Sequence, residues 1–188
     1  MRTLIAFASF ALLFFSLSAS AADDQGTIFV VRHGEKESSA SDALLSAAGH
    51  HRANCLARTL KDTNVKAIFT PEVKRTQQTA EPLANARNIS ITVIPRKNQS
   101  ELVEKARAAT RNGAVLIVAQ QDTTPQIVQE LGGVTLPPIA DNEFDRLIVL
   151  HLSASGPSVT TLRYCDCEAS GPNANQGMAP DQGMVRTK

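Results

Sequence analysis

The sequence has no tryptophan, a single tyrosine and only 4% aromatic residues in all. It has no surplus of one charge either: 19 Lys and Arg face 18 Asp and Glu, for a formal charge of +1. Four of the seven phenylalanines (Phe7, Phe10, Phe14, Phe15) crowd into the first 21 residues, so only Phe29, Phe69, Phe144 and Tyr164 are left for the rest of the chain. Without a basic stripe or a set of aromatic platforms, nucleic-acid binding is disfavoured as a main function. A bilayer-spanning run is missing as well. The apolar stretch from Leu4 to Leu17 falls short of the ~20 residues a membrane helix needs. There are no internal repeats.

What stands at the N-terminus instead is one cation, Arg2, then that apolar stretch, then Ala19-Ser20-Ala21. This is the plan of a secretory signal peptide, and residues 1–21 are expected to be cleaved. No cysteine follows the small residues, which argues against a lipid-modified N-terminus. The expectation is a periplasmic or secreted protein with no stable membrane anchor after signal cleavage. The domain is expected over residues 22–168, followed by a polar tail over 169–188. That tail is rich in Gly, Pro, Asn and Gln, has no apolar period, and reads as disordered.

Cysteines are scarce too: Cys55, Cys165 and Cys167. Three is odd, so at least one stays unpaired or pairs between chains. Cys55 bridges to the C-terminal pair or no bridge forms. Cys165-x-Cys167 lacks the partner ligands of a zinc site, so no metal is expected.

The middle of the chain alternates β-rich runs with helical patterns. Strands are predicted at Thr27–Val31, Lys66–Thr70, Ile89–Ile94, Ala114–Ala119, Phe144–Leu152 and Ser158–Tyr164. Helices are predicted at Ser46–Lys61, Val73–Arg87 with a kink or break at Pro82, Glu101–Arg111, and Pro125–Leu131 before Gly132-Gly133. The fold class is therefore α/β: a three-layer α/β/α sandwich whose mostly parallel sheet ends in a C-terminal β-hairpin. In such a sheet the site lies beyond the carboxyl ends of the strands, at a topological switch point.

Each apolar strand runs into polar residues of a particular kind. The first leads into Arg32-His33-Gly34-Glu35-Lys36, in which the glycine allows close backbone approach to a ligand. The second leads to Arg75 in the first turn of a helix, and the fourth to Gln120-Gln121-Asp122 at the opening of another. Arg32, His33, Arg75 and Gln120 are thus delivered to one edge. Two guanidiniums and helix N-termini suit a tetrahedral oxyanion, and an imidazole among them can attack phosphorus.

Arg32-His33-Gly34-Glu35 after a strand resembles the signature of the histidine phosphatase superfamily, with its phosphoglycerate mutase-like fold. Further segments resemble that family in the same order: Leu45 to Gly49 with Arg52-Ala53, Ala67 to Thr70, Arg75-Thr76 with Gln78 to Ala80, Val115 to Val118, Thr123 to Pro125, and Phe144 to Leu147. With no long insertions the chain looks like the small, capless bacterial branch.

The resemblance implies His33 as a nucleophile that becomes phosphohistidine, Arg32 and Arg75 as phosphate-binding residues, and no metal or other cofactor. The family's fourth pocket member is a second histidine, and here Gln120 stands in its place. Glutamine can donate a hydrogen bond to a phosphoryl oxygen but cannot carry charge or move a proton. Asp122 is the candidate general acid, with a helix N-cap as its other reading. Glu35 is expected to order the loop after the first strand and Glu101 to serve a helix dipole. Lys36 either adds charge at the pocket mouth or is solvated, and His50, His51 and His151 are expected in structural or surface roles. The implied function is a metal-independent phosphomonoesterase acting on a phosphorylated small molecule or phosphoprotein. The alternative is a degenerate pseudophosphatase that binds phosphate or phosphorylated ligands without efficient turnover.

Overall fold

The computed structural model describes residues 25–165. The expected signal peptide, the polar tail and Cys167 lie outside them. Six strands and four helices alternate as expected: β1 Gly26–Arg32, α1 Ala47–Leu60, β2 Val65–Thr70, α2 Lys74–Arg87, β3 Ile91–Val93, α3 Gln99–Ala109, β4 Ala114–Ala119, α4 Thr123–Gly132, β5 Arg146–Leu152 and β6 Ser158–Arg163. Short 3-10 turns, Arg96–Asn98 and Thr110–Asn112, flank α3. No helix among the described residues is long and apolar enough to cross a membrane.

The sheet order is β3-β2-β4-β1-β5-β6. The first four strands are parallel; β5 pairs antiparallel with β1 and forms a hairpin with β6. The fold is thus α/β as the sequence predicts. Every residue of β4 is buried, which is what an uninterrupted apolar run does in a sheet covered on both faces. Alternation divides the strands between two cores. Ile28 and Val30 of β1, with Val115 and Ile117 of β4, pack against Leu102, Val103 and Ala106 of α3 and Ile127, Val128 and Leu131 of α4. Phe29, Val31, Leu116 and Val118 pack against Leu56 and Leu60 of α1 and Ala80, Leu83 and Ala84 of α2.

From β1 the chain passes to β2 on one side of the β4–β1 pair, and from β4 it passes to β5 on the other. The switch point therefore lies between the carboxyl ends of β1 and β4.

Two local expectations are corrected. Helix α2 runs unbroken through Pro82; burial of Ala80, Leu83 and Ala84 in the core offsets the lost backbone bond, which costs about 3 kcal/mol. Strand β3 is three residues long, because this edge strand has a partner on one side only.

Cys55 and Cys165 form a disulfide, one of the outcomes left open by the sequence. The Cys165 sulfur is thereby removed from any Cys-x-Cys metal site. Among the described residues no group of three His, Cys, Asp or Glu could hold a metal ion.

Candidate functional site

The chain continues the sheet one residue beyond β1, where the His33 amide donates to the Ala119 carbonyl at 3.0 Å. That bond sets the His33 segment beside the end of β4. Gly34 has a packing role. A Cβ there would stand 2.9 Å from the Gly49 carbonyl oxygen, and one on Gly49 would stand 2.3 Å from the Glu35 oxygen. The pair of glycines lets the start of α1 press directly on the loop after β1, so the close approach is to a neighbouring helix. Thr79 of α2 accepts from the Gly34 amide at 3.0 Å.

Glu35 orders this loop as expected. Its carboxylate takes Arg52 Nε at 2.9 and 3.0 Å and Nη2 at 2.6 Å, a two-pronged pairing that suits the planar guanidinium. Arg52 also donates to the Cys165 carbonyl at 3.1 Å, which ties the loop to the disulfide.

His33 is 3% exposed. Its Nδ1 is 2.7 Å from the Gly34 carbonyl oxygen, which can only accept, so Nδ1 carries the proton. Nε2 then holds the lone pair and accepts from Arg75 Nε at 3.0 Å. Burial pushes the imidazole down to about 4, and the nearby positive charge of Arg75, Arg32 and Lys36 adds to the effect. At neutral pH the ring is uncharged, as a nucleophile must be.

Arg75 is aimed by a second bond, from Nη1 to the Ser41 carbonyl at 2.7 Å. Arg32 is held by three carbonyls, those of Ala140 (2.8 Å), Asp141 (3.1 Å) and Glu143 (3.0 Å), all through Nη1. The Phe144 ring lies 4.1 Å from its guanidinium carbon, while its buried Nε makes no hydrogen bond among the described residues. Burial lowers the pKa of both guanidiniums from the ordinary arginine value, and for Arg75 the charge of Arg96 adds to this. Both remain cationic.

These side chains surround a cavity of about 530 Å³. Arg32, His33, Arg75 and Gln120 all line it, together with Lys36, Gln121, Asp122 and Gln126. The opposite wall is apolar, made by Leu136, Pro138 and Ile139. Arg146 holds that wall through the Pro137 carbonyl at 2.9 Å.

Gln120 is fixed at the backbone: its amide donates to Thr123 Oγ1 at 3.0 Å and its carbonyl accepts from Thr124 Oγ1 at 2.7 Å. Asp122 stands at the N-cap position of α4 but does not cap it with its side chain. Its backbone is already helical and its side chain makes no cap bond. The carboxylate is drawn instead into an ion pair with Arg96. Glu101, in the first turn of α3, bonds Asn98 and Lys105. His50 and His151 are exposed and lie away from the cavity.

Sequence reading missed Arg96, the three apolar wall residues and the Ser41 anchor. For Arg96 a signal existed. It follows the carboxyl end of β3 as Arg32 closes β1, and a cation in that position on a parallel sheet faces the same edge.

The pKa of His33 has a measurable consequence. Between about pH 6.5 and 4 the unfolded chain takes up a proton that the folded one refuses. Stability is therefore present above this window and falls as pH drops through it, by about 3 kcal/mol in all. Denaturant titrations at pH 7 and 4.5 should show that slope in the wild type and not in His33→Ala.

A model of the histidine phosphatase superfamily (branch 1) matches residues 28–98. A probable phosphoglycerate mutase GpmB of Yersinia enterocolitica is 34% identical over 76 residues, covering 37% of this chain and 35% of that protein. The corresponding protein of Proteus mirabilis is 31% identical over 94 residues, covering 45% and 44%. The match thus spans less than half the length of these relatives. Among solved structures, the protein histidine phosphatase SixA complexed with tungstate superposes with a TM-score of 0.59 at 19% identity, over 73% of this chain and 96% of that one. Mycobacterial hydrolase 2 gives 0.60 at 12% identity, over 78% and 94%. At such identities these two show a shared fold.

Proposed function

We infer that the chain belongs to the histidine phosphatase superfamily, and on that premise we propose that it hydrolyses phosphomonoesters through a phosphohistidine on His33. The observation that carries this reading is the His33–Arg75 contact: a neutral, buried imidazole whose unprotonated Nε2 faces a guanidinium at the cavity. A phosphoryl oxygen entering the cavity takes over the Arg75 bond and frees the lone pair. Nε2 then forms a bond to phosphorus as the bond from phosphorus to the ester oxygen breaks, and that oxygen leaves with its electron pair and takes a proton from solvent water. Water next attacks the phosphohistidine, releasing inorganic phosphate and restoring the imidazole. Arg32 and Arg75 neutralise the charge on the phosphoryl oxygens throughout. Among the described residues Asp122 is the only carboxylate that lines the cavity. Paired with Arg96 it is an acceptor, suited to orient the attacking water.

The substrate is a phosphorylated small molecule or a phosphoprotein. The similarity to SixA, a protein histidine phosphatase, supports the second. The Cys55–Cys165 disulfide supports an oxidising, exported location.

A second reading, phosphate binding without turnover, rests on Gln120 in place of a histidine. Hydrolysis of p-nitrophenyl phosphate separates the two. The wild type should turn over, and Gln120→His should change kcat/KM by less than about tenfold, because the amide already supplies a donor. A silent wild type with an active Gln120→His variant would establish the degenerate pocket instead.

A further inference from the structure

Arg96 makes an unusual set of contacts for a residue in a short turn. Its backbone amide donates to Glu72 Oε2 at 2.8 Å, which ties the loop after β3 to the loop after β2. Its guanidinium forks across the loop after β4: Nη1 donates to Gln120 Oε1 at 2.8 Å, and Nη2 binds the Asp122 carboxylate. The residue is therefore anchored at its backbone and at its guanidinium.

This contact decides which end of the Gln120 amide faces the cavity. A guanidinium has five N–H donors and no acceptor, so the amide must turn its oxygen to Arg96. The Gln120 backbone is already fixed by Thr123 and Thr124. The Nε2 hydrogens, which make no bond among the described residues, are left to donate into the cavity beside His33 and Arg75. With the amide reversed, a carbonyl oxygen would meet the phosphoryl oxygens and repel them.

We propose that Arg96 is a positioning residue that locks Gln120 as a hydrogen-bond donor to the bound oxyanion and so replaces part of what a second histidine would supply. The inference rests on the cavity being an oxyanion site. Arg96 also places a positive charge one hydrogen bond behind that donor, which polarises the amide toward donation.

The test measures orthovanadate affinity by calorimetry alongside p-nitrophenyl phosphate turnover. Arg96→Met should weaken vanadate binding and lower kcat/KM by about 10- to 100-fold. Arg96→Lys, which also presents only donors, should stay within about fivefold of wild type. In a Gln120→Ala background, Arg96→Met should add less than about twofold, because the coupling runs through the amide. Thermal melts of each variant report folding separately. Vanadate binding by Arg96→Met within twofold of wild type would overturn the proposal. So would an undiminished effect in the Gln120→Ala background, which would mean direct contact or a purely structural role. Because vanadate binding is read without turnover, a wild type that binds but does not hydrolyse refutes the hydrolase reading and leaves this test intact.

Discussion

His33→Ala is expected to lower p-nitrophenyl phosphate turnover by at least ~10⁴-fold while leaving the protein folded. The size of the effect follows from the geometry. Nδ1 is committed to the Gly34 carbonyl, which leaves the ring's lone pair on Nε2, beside the Arg75 guanidinium. Among the described residues no other histidine lines the cavity. What survives the substitution is direct attack by water on an ester held by Arg32, Arg75 and Gln120, and such residual electrostatic catalysis is slow. Phosphate affinity should fall far less than turnover, since the arginines remain, and that split marks loss of a nucleophile rather than loss of a binding site. A pulse of labelled ester quenched in alkali, where the N–P bond of phosphohistidine persists, should label the wild type and not the variant. The acid limb of kcat/KM for the wild type should lie near the value of about 4 to which burial pushes His33. A variant that retains a tenth of the activity, or an acid limb near pH 6.5, would remove His33 from the nucleophile's role.

The second large effect concerns stability. Cys55 and Cys165 are joined across a sequence separation of 110 residues. Closing so long a loop in the unfolded chain is worth about 4–5 kcal/mol in the chain-entropy treatment. That is a large part of the roughly 5–15 kcal/mol that holds a domain folded. The double variant Cys55→Ala/Cys165→Ala should lose about that amount in denaturant titration and melt roughly 10–20 °C lower. The folded fraction should keep most of its activity, because Glu35 and Arg52 still bond to each other when the bridge is gone. A double variant within about 1 kcal/mol of wild type would show that the bridge constrains the unfolded chain very little.

Several features were legible in the chain before any coordinates. β1 and β4 are uninterrupted apolar runs and could sit only inside a covered sheet. Arg32, His33 and Gln120 follow those runs directly, and Arg75 opens the helix after β2, so the rule that ligands bind beyond the carboxyl ends of parallel strands brought them together. Such signals are local: a run of five or six residues and the two or three that follow. Other features had no local signal. Glu35 meets Arg52 across 17 positions, Arg75 reaches back 34 to Ser41, and Arg32 reaches forward more than 100 to the carbonyls that hold it. The apolar wall of Leu136, Pro138 and Ile139 lies in a stretch without period or regular structure.

By itself, then, the sequence determined the layered α/β fold, the sheet edge that carries the site, and the set of side chains delivered there, because hydrophobic period and strand ends act over a few residues. The tertiary structure alone decided which nitrogen of His33 is free, that Asp122 pairs with Arg96 instead of capping its helix, and which way the Gln120 amide faces. Those outcomes depend on single hydrogen bonds between loops far apart in the chain. Only folding brings their donors and acceptors within about 3 Å of one another.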